Sequence, residues 1–335
     1  MSELRIGVVG TGAIGREHIF RITNKLVGGK VVAVTDINEE NAKAASAVCG
    51  ARIEKDSLSV VNSPDVDALL VASYGPAHAE SVLQAIAAGK PVFCEKPLAS
   101  TAADCKKIVD AEMAFGKKLV QVGFMRRYDK GYLQLKNIIS GGGIGAPLMV
   151  HCAHRNATVD PNYTTQMAVN DTAVHEIDIL HWLIDDQYVS AQVIIPKTTK
   201  YARPGLTDPQ LMILTTESGI VIDIEVFVNC QFGYDIQCEV CCEGGTARMA
   251  EPSFPLVRKD ASRCVALETD WKQRFIEAYD VEIQDWINST LSGEVNGPTA
   301  WDGYLAAVTA DALVKSQGSG RAEPIQTGAA PVFYK

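Results

Sequence analysis

A chain of 335 residues is too long for one ordinary hydrophobic core, so two domains are expected. Hydrophobic residues make up 47% and charged residues 21%, the balance of a globular protein. The net charge of -9, with no basic cluster against it, argues against a nucleic-acid partner.

The chain enters a strand-like run without a basic-then-apolar leader, and no apolar stretch is long enough to span a bilayer. A cytoplasmic protein with no membrane partner is therefore expected. Arg5 to Val9 is short, apolar and β-branched, the pattern of a strand buried on both faces. It leads into Gly10-Thr-Gly12-Ala13-Ile14-Gly15 and then a helical pattern. A second strand, Val31 to Thr35, ends on Asp36 about twenty residues beyond Gly15. Strand, glycine turn, helix and closing acid are the context a dinucleotide-binding turn requires. Gly10 makes the tight turn, Gly12 lets backbone approach a pyrophosphate, and Gly15 lets helix and strand pack closely. The helix N-terminus favours the phosphate charge. Asp36 would accept hydrogen bonds from the ribose hydroxyls and repel a 2′-phosphate, so the cofactor is read as NAD rather than NADP.

The alternation continues with a helix over Asn41 to Cys49 and a strand over Ala68 to Ser73. Tyr74-Gly75-Pro76 then turns into a helix over Ala77 to Ala88. Pro91 to Glu95 is a strand, Thr101 to Phe115 a helix and Lys118 to Phe124 a strand. Strands alternating with helices imply a doubly wound parallel sheet of Rossmann type, with ligands at the strands' carboxyl ends. Glu95-Lys96-Pro97 closes a strand at that edge. Lys96 is placed to donate to a substrate oxygen, and the bond to Pro97 is expected to be cis.

After Phe124 the character changes, so the domains are expected over 1–124 and 125–335. A helix ends at Gly141-Gly142-Gly143, and a further helix is expected over Asn170 to Trp182, capped by Asn170 or Asp171. At about 100° per residue, Ala173, Ile177, Leu180 and Ile184 form an apolar stripe, with Asp171, His175 and Asp178 on the opposite side. Such a face is either solvated or covered. Trp182 on the polar side argues for cover, and a covered carboxylate one turn from an imidazole suits general acid–base work.

Leu148 to Ala153, Gln192 to Pro196, Leu211 to Thr216, Ile220 to Val228, Tyr234 to Cys242 and Gly245 to Met249 read as strands of an antiparallel sheet. A broad sheet with one face left over invites subunit packing, so an oligomer is expected. Helices over Arg274 to Ser292 and Trp301 to Lys315 would cover the other face and return toward the first domain. The fold class is therefore α/β: a Rossmann domain plus an α+β domain with a large, mostly antiparallel sheet. Nine scattered cysteines argue for reduced thiols, and Cys238, Cys241 and Cys242 fit buried strand positions better than a zinc site. His151, His154, His175 and His181 match no zinc spacing, and no metal is expected.

Gly10-x-Gly12-x-x-Gly15, Glu95-Lys96-Pro97 and Asp171-x-x-x-His175 together resemble the Gfo/Idh/MocA oxidoreductases, over essentially the whole chain. Gly123 to Asp129, His154-Arg155-Asn156, Asp171 to Trp182, Tyr234-Asp235, Asp270 to Phe275 and Ala278-Tyr279 are most similar to the members that act on inositol. One departure is Tyr74-Gly75-Pro76, where the family more often carries threonine before the proline. The resemblance implies NAD-dependent oxidation of a cyclic polyol hydroxyl, with myo-inositol at its axial hydroxyl as the leading substrate. Scyllo-inositol or an aldose is the alternative substrate, and a non-catalytic NAD-binding sensor the alternative from another class. It implies His175 as the base, Lys96 as donor to the reacting oxygen, and Asp171 as the group that orients the imidazole or holds a neighbouring hydroxyl. The cofactor would lie on Gly10, Gly12, Ala13, Ile14, Gly15, Asp36, Ser73, His78, Glu95 and Lys96. Arg126, Asn156 and Tyr234, with Asp171 and His175, would contact the polyol, while Asp178 and His181 would support them. A homotetramer, or a dimer, through the C-terminal sheet is implied as well.

Overall fold

The structure, a computed structural model, describes residues 3–251 and 254–335. The chain divides into two compact units. The first takes the chain up to Met125 together with Tyr279–Ala307 and Gly328–Lys335; the second takes Arg126–Ala278 and Val308–Thr327.

The first unit runs β1 (Leu4–Val9), α1 (Ala13–Asn24), β2 (Gly29–Thr35), α2 (Glu39–Cys49), β3 (Arg52–Ile53), α3 (Ser57–Val61) and β4 (Ala68–Val71). It continues with α4 (His78–Ala87), β5 (Val92–Glu95), α5 (Ala102–Phe115) and β6 (Val120–Gly123). Among the described residues its six strands form an all-parallel sheet in the order β3-β2-β1-β4-β5-β6. This is the doubly wound order, and it sets the mouths of β1, β2, β4 and β5 side by side.

Strand periodicity explains the packing. Leu4, Ile6, Val8, Ala68, Leu70 and Phe93 share a core with Ile19 and Ile22 of α1. Ile283, Trp286 and Ile287, from the C-terminal part of the same unit, complete it. A bulge at Val32, where the β1–β2 register shifts, lets both Val31 and Val34 face that core. On the opposite face a Cβ at Gly7 would meet Val60 of α3 at 2.4 Å, so α3 lies against the sheet there. Burying each such valine, leucine or isoleucine contributes about 1.5–3 kcal/mol. Helix starts follow the side chains that cap them: Asn38 accepts from Glu40 N–H, Asp56 from Ser59 N–H and Thr101 from Asp104 N–H. The short β3 and α3 were not expected from the sequence, being too brief to show a period.

The second unit begins with α6 (Lys130–Ser140), β7 (Pro147–Arg155), a π-helical turn over Ala168–Ala173 and α7 (Val174–Ile184). There follow β8 (Tyr188–Ile194), β9 (Gln210–Thr216), β10 (Val221–Phe227), β11 (Asp235–Cys242), β12 (Gly245–Arg248), β13 (Leu256–Lys259) and β14 (Ser262–Val265). Helices α8 (Trp271–Leu291) and α9 (Ala300–Ser319) and the short β15 (Glu323–Pro324) end the series. The division into units falls inside both α8 and α9.

Among the described residues a seven-stranded sheet has the order β12-β11-β7-β10-β9-β8-β15. It is mostly antiparallel, with one correction to the expected pattern: β10 runs parallel to β7. Hairpin logic fixes the direction only of strands joined by short turns, and β7 is followed by a helix. Alternation is clear: Met212, Leu214, Ile222, Ile224, Val226, Cys238 and Val240 are buried, and the residues between them are half-exposed. Cys238 stands opposite Cys152 in register, and all nine cysteines are free thiols. Among the described residues no helix is long and apolar enough to cross a membrane.

Candidate functional site

In the first unit the expected cofactor residues gather at the mouths of adjacent strands. Gly10 takes φ +92°, and a Cβ there would lie 2.3 Å from Ser73 N, so only glycine fits between the β1 and β4 ends. A Cβ on Gly15 would fall 2.1 Å from Gly10 O. Gly12 differs, because a Cβ there would meet nothing within 4 Å. Its smallness answers no packing demand among the described residues and leaves open space at the start of α1, where no side chain caps the helix. The first-turn N–H groups, carried by Ala13, Ile14 and Gly15, have no intrahelical acceptor by helix geometry.

Asp36, following β2, reaches back to this turn. Its Oδ2 accepts Thr11 N–H at 2.6 Å and Thr11 Oγ1 at 3.1 Å, while Oδ1 accepts Asn38 N–H at 2.8 Å. Oδ1, with a single donor, keeps a further lone pair for a hydroxyl. Ser73 Oγ is buried without a partner among the described residues. Open space at Gly12, a helix start without a cap, a carboxylate beside the turn and an orphaned hydroxyl together fit a dinucleotide.

His78 is buried, with Nδ1 2.8 Å from Pro97 O and Nε2 2.8 Å from Ser73 O. Both ring nitrogens are thus engaged with main chain, and the imidazole ties the β4 end to the turn after Lys96. The Lys96–Pro97 bond is cis, as expected. Glu95 is buried, and its Oε2 accepts Lys96 N–H at 3.1 Å. Gly123, its register partner, makes room: a Cβ there would sit 3.2 Å from Glu95 Cα.

In the second unit the central helix departs from expectation at its start. Residues Ala168–Ala173 form a π turn in which Val174 N–H reaches back to Val169 O, so neither Asn170 nor Asp171 caps α7. Asp171 is exposed, whereas His175 and Asp178 are buried. The polar face is therefore covered at His175 and Asp178 but not at Asp171, so the expected cover holds only in part. Asp178 pairs with Arg127, whose Nε lies 3.0 Å away, and Lys136 Nζ sits 5.3 Å over the Trp182 ring.

The sequence did not reveal the hub of this face. Glu176 is buried and ion-paired with Arg126, and its other oxygen lies 2.9 Å from His154 Nδ1. Burial alone would raise its carboxyl, but the Arg126 guanidinium and His154 more than offset this and bring it down to about 2. The His154 ring lies 6.4 Å from that of His175 and 5.8 Å, edge-on, from Tyr234. Burial pushes the Tyr234 phenol up to about 12, against the lowering effect of Arg126. Arg126 itself is buried over the Phe275 ring, with its terminal nitrogens directed at Glu176 and His154. Asn156, just past β7, is half-buried and fixed through its main chain to Phe227 O and Cys230 N–H, both at 3.0 Å. The adjacency of His175 and Glu176 was the only local signal for the hub.

The four histidines weighed for a metal have separate settings. His151 pairs with Asp223 on the half-exposed side of β7, His154 with Glu176, and His181 lies edge-on to Tyr188 at 5.6 Å. Among the described residues no cluster of three or more His, Cys, Asp or Glu is gathered as for a metal ion.

Comparison with known proteins agrees with this architecture. The chain matches the oxidoreductase family model for the NAD-binding Rossmann fold over residues 4–124, and that for the family's C-terminal alpha/beta domain over 136–327. It is 58% identical to an inositol 2-dehydrogenase of Azotobacter vinelandii, over 99% of this chain and 98% of that one. It is 56% identical to an inositol 2-dehydrogenase of Klebsiella pneumoniae subsp. pneumoniae, over 99% of both chains. Among solved structures, myo-inositol dehydrogenase from Lactobacillus casei, in complex with NAD(H) and myo-inositol, superposes with a TM-score of 0.98 at 45% identity, over 100% of both chains. With both halves of the chain matched and the glycine turn, Glu95-Lys96-Pro97 and the Asp171–His175 stretch in place, the chain belongs to the Gfo/Idh/MocA oxidoreductase family.

Proposed function

We propose that the protein oxidises myo-inositol to 2-keto-myo-inositol with NAD. The observation that carries this is the full-length match to a dehydrogenase whose structure holds NAD(H) and myo-inositol. The Gly10–Gly15 turn and the start of α1 would hold the pyrophosphate, Asp36 the ribose hydroxyls, and Ser73 a further polar contact. NAD, when bound there, would supply the acceptor for the hydride leaving the carbon being oxidised.

The chain's residues handle the proton and the charge. His175 takes the proton of the reacting hydroxyl at a ring nitrogen. Lys96 donates a hydrogen bond to that oxygen and opposes the negative charge developing on it. Asp171 orients the imidazole or holds a neighbouring hydroxyl, and as a carboxylate it favours the imidazolium that forms. Tyr234 and Asn156 contact the polyol. Arg126, committed to Glu176, places Tyr234 and the His154 ring. His78 contributes by fixing Ser73 and the Lys96–Pro97 turn. The second unit serves substrate binding and self-association. The half-exposed face of its sheet carries Met149, Val221, the His151–Asp223 pair and the Arg155 bridges to Glu225 and Asp235, supporting a tetramer or dimer through that face. The setting is cytoplasmic, in keeping with nine free thiols.

The test is a panel of myo-inositol, scyllo-inositol and aldoses with NAD or NADP, followed by nicotinamide reduction. The highest kcat/KM is expected for myo-inositol with NAD. Binding of NAD without turnover of any member would instead identify a sensor.

A further inference from the structure

Behind Lys96, in the first unit, lies a buried line of polar side chains that the reaction does not touch. His18, on α1, is fully buried. Its Nε2 lies 2.6 Å from Glu95 Oε1, and its Nδ1 lies 2.6 Å from Arg21 Nη1. Arg21 in turn donates from Nε to Asp280 Oδ1 at 2.9 Å, and its guanidinium sits 5.2 Å over the Tyr279 ring. The other oxygen of Glu95 accepts the Lys96 N–H.

The donors decide the tautomer. A guanidinium only donates, so Nδ1 of His18 must accept. The imidazole proton then lies on Nε2 and is donated to Glu95. Burial and the neighbouring guanidinium lower the imidazole's pKa, keeping it neutral beside an ionised carboxylate. We propose that His18, held as the neutral Nε2–H tautomer by Arg21, is a positioning residue for Lys96. It fixes the Glu95 carboxylate that anchors the Lys96 main chain and faces its charge. Without that donor, a carboxylate in this interior would turn or take up a proton, and Lys96 would lose both its anchor and a fixed counter-charge.

The inference rests on the role proposed for Lys96, and Lys96→Met alone tests that role. His18→Leu removes both hydrogen bonds. His18→Gln restores them, with the amide oxygen toward Arg21 and the amide nitrogen toward Glu95. With saturating NAD and myo-inositol, His18→Leu should lower kcat by about 10- to 100-fold, the scale of a misplaced reacting group. His18→Gln should stay within about threefold of wild type. The Leu change should cost less than about twofold when added to Lys96→Met, because the two act on one group. A folded His18→Leu enzyme with wild-type kcat overturns the inference. So does a full additive loss in the double variant when Lys96→Met alone is impaired, an outcome that leaves the role of Lys96 standing. Nitrogen-15 NMR of the wild-type imidazoles is independent of how the variants fold: a proton on Nε2 alone is expected for His18, and an Nδ1–H tautomer or an imidazolium overturns the assignment.

Discussion

Nδ1 of His154 and Oε2 of Glu176 lie 2.9 Å apart in the interior of the second unit, one residue along the chain from His175. With Arg126 on the other carboxylate oxygen, Glu176 joins the inner side of β7 to α7 and thereby sets the surroundings of the proposed base. A buried pair of this kind is costly to break one-sidedly, since the surviving charge is left without a partner.

Glu176→Gln should therefore destabilise the protein at neutral pH by about 3–5 kcal/mol, because Arg126 stays buried without its counter-charge. The acid side gives a second, signed expectation. The Glu176 carboxyl is held at about 2, below its ordinary 4.5. A carboxylate with a lowered folded value adds stability that is fully present above the ordinary value and is lost as pH falls through the folded one. The window is thus from about 4.5 down to about 2, and the contribution is on the order of 3 kcal/mol. Urea midpoints followed from pH 6 to pH 2 should fall more steeply for wild type than for the variant. Parallel curves would mean that Glu176 does not carry this linkage.

His175→Ala should bind NAD nearly as well as wild type, since it is no part of the Gly10–Gly15 turn. Turnover should drop by about 100-fold or more, the scale of losing a positioned acid–base group. In wild type, oxidation should weaken toward acid, because an imidazole that already carries a proton accepts none. Asp171→Asn should slow turnover as well, an amide being unable to stabilise the imidazolium as a carboxylate does. If His175→Ala stays folded, binds NAD and oxidises the polyol at the wild-type rate, His175 is not the base.

The legible parts of the sequence were those where a local rule decides the outcome. Arg5 to Val9, with its β-branched residues, and the apolar run Ala68 to Ser73 read as central strands, and Gly10, Gly12 and Gly15 sit where the turn demands them. The Lys96–Pro97 geometry was legible because a lysine that must turn from the strand end toward the cofactor stands before a proline, and the family resemblance pointed the same way; Asp208–Pro209 is cis as well and had no such pointer. What escaped depends on distance or on a change of period. Glu176 meets Arg126 across fifty positions, and His18 meets Glu95 across seventy-seven, separations at which no pattern in either segment names the other. The π turn escaped because the α period was extended one turn too far toward Asp171. The parallel β7–β10 pair escaped because alternation reports which face a residue takes, not which way its neighbour runs.

Asp36→Ser combined with Ile37→Arg should shift preference from NAD toward NADP. The carboxylate that would repel a 2′-phosphate is removed, and a guanidinium able to pair with it is added. Ile37 is fully exposed, so the arginine has room. A cost is also expected, because Asp36 holds Thr11 N–H and the serine cannot reproduce both of its contacts to that residue. The ratio of kcat/KM values for NADP and NAD should rise by at least about tenfold while the better of the two falls below wild-type NAD activity. Wild-type protein that already used both cofactors equally would show that Asp36 does not set the choice.

The glycine turn separates packing from binding within a few residues. Gly15→Ala places a methyl group 2.1 Å from Gly10 O, a backbone atom that moves only if the turn opens. This variant should lose thermal stability and NAD affinity together. Gly12→Ala meets nothing within 4 Å, and the backbone there, at φ -68° and ψ -155°, is open to alanine. The fold should accept it with a melting temperature close to that of wild type. The methyl group would nevertheless stand in the space left for a pyrophosphate at the start of α1, where close backbone approach is the purpose of the glycine. NAD affinity, measured by calorimetry, should fall at least about tenfold, the equivalent of about 1.4 kcal/mol. Inorganic pyrophosphate should then protect Gly12→Ala against heat less than it protects wild type, which places the loss at the phosphates rather than at the ribose. A Gly12→Ala protein that binds NAD as tightly as wild type would show that the open space at Gly12 is not where the cofactor lies.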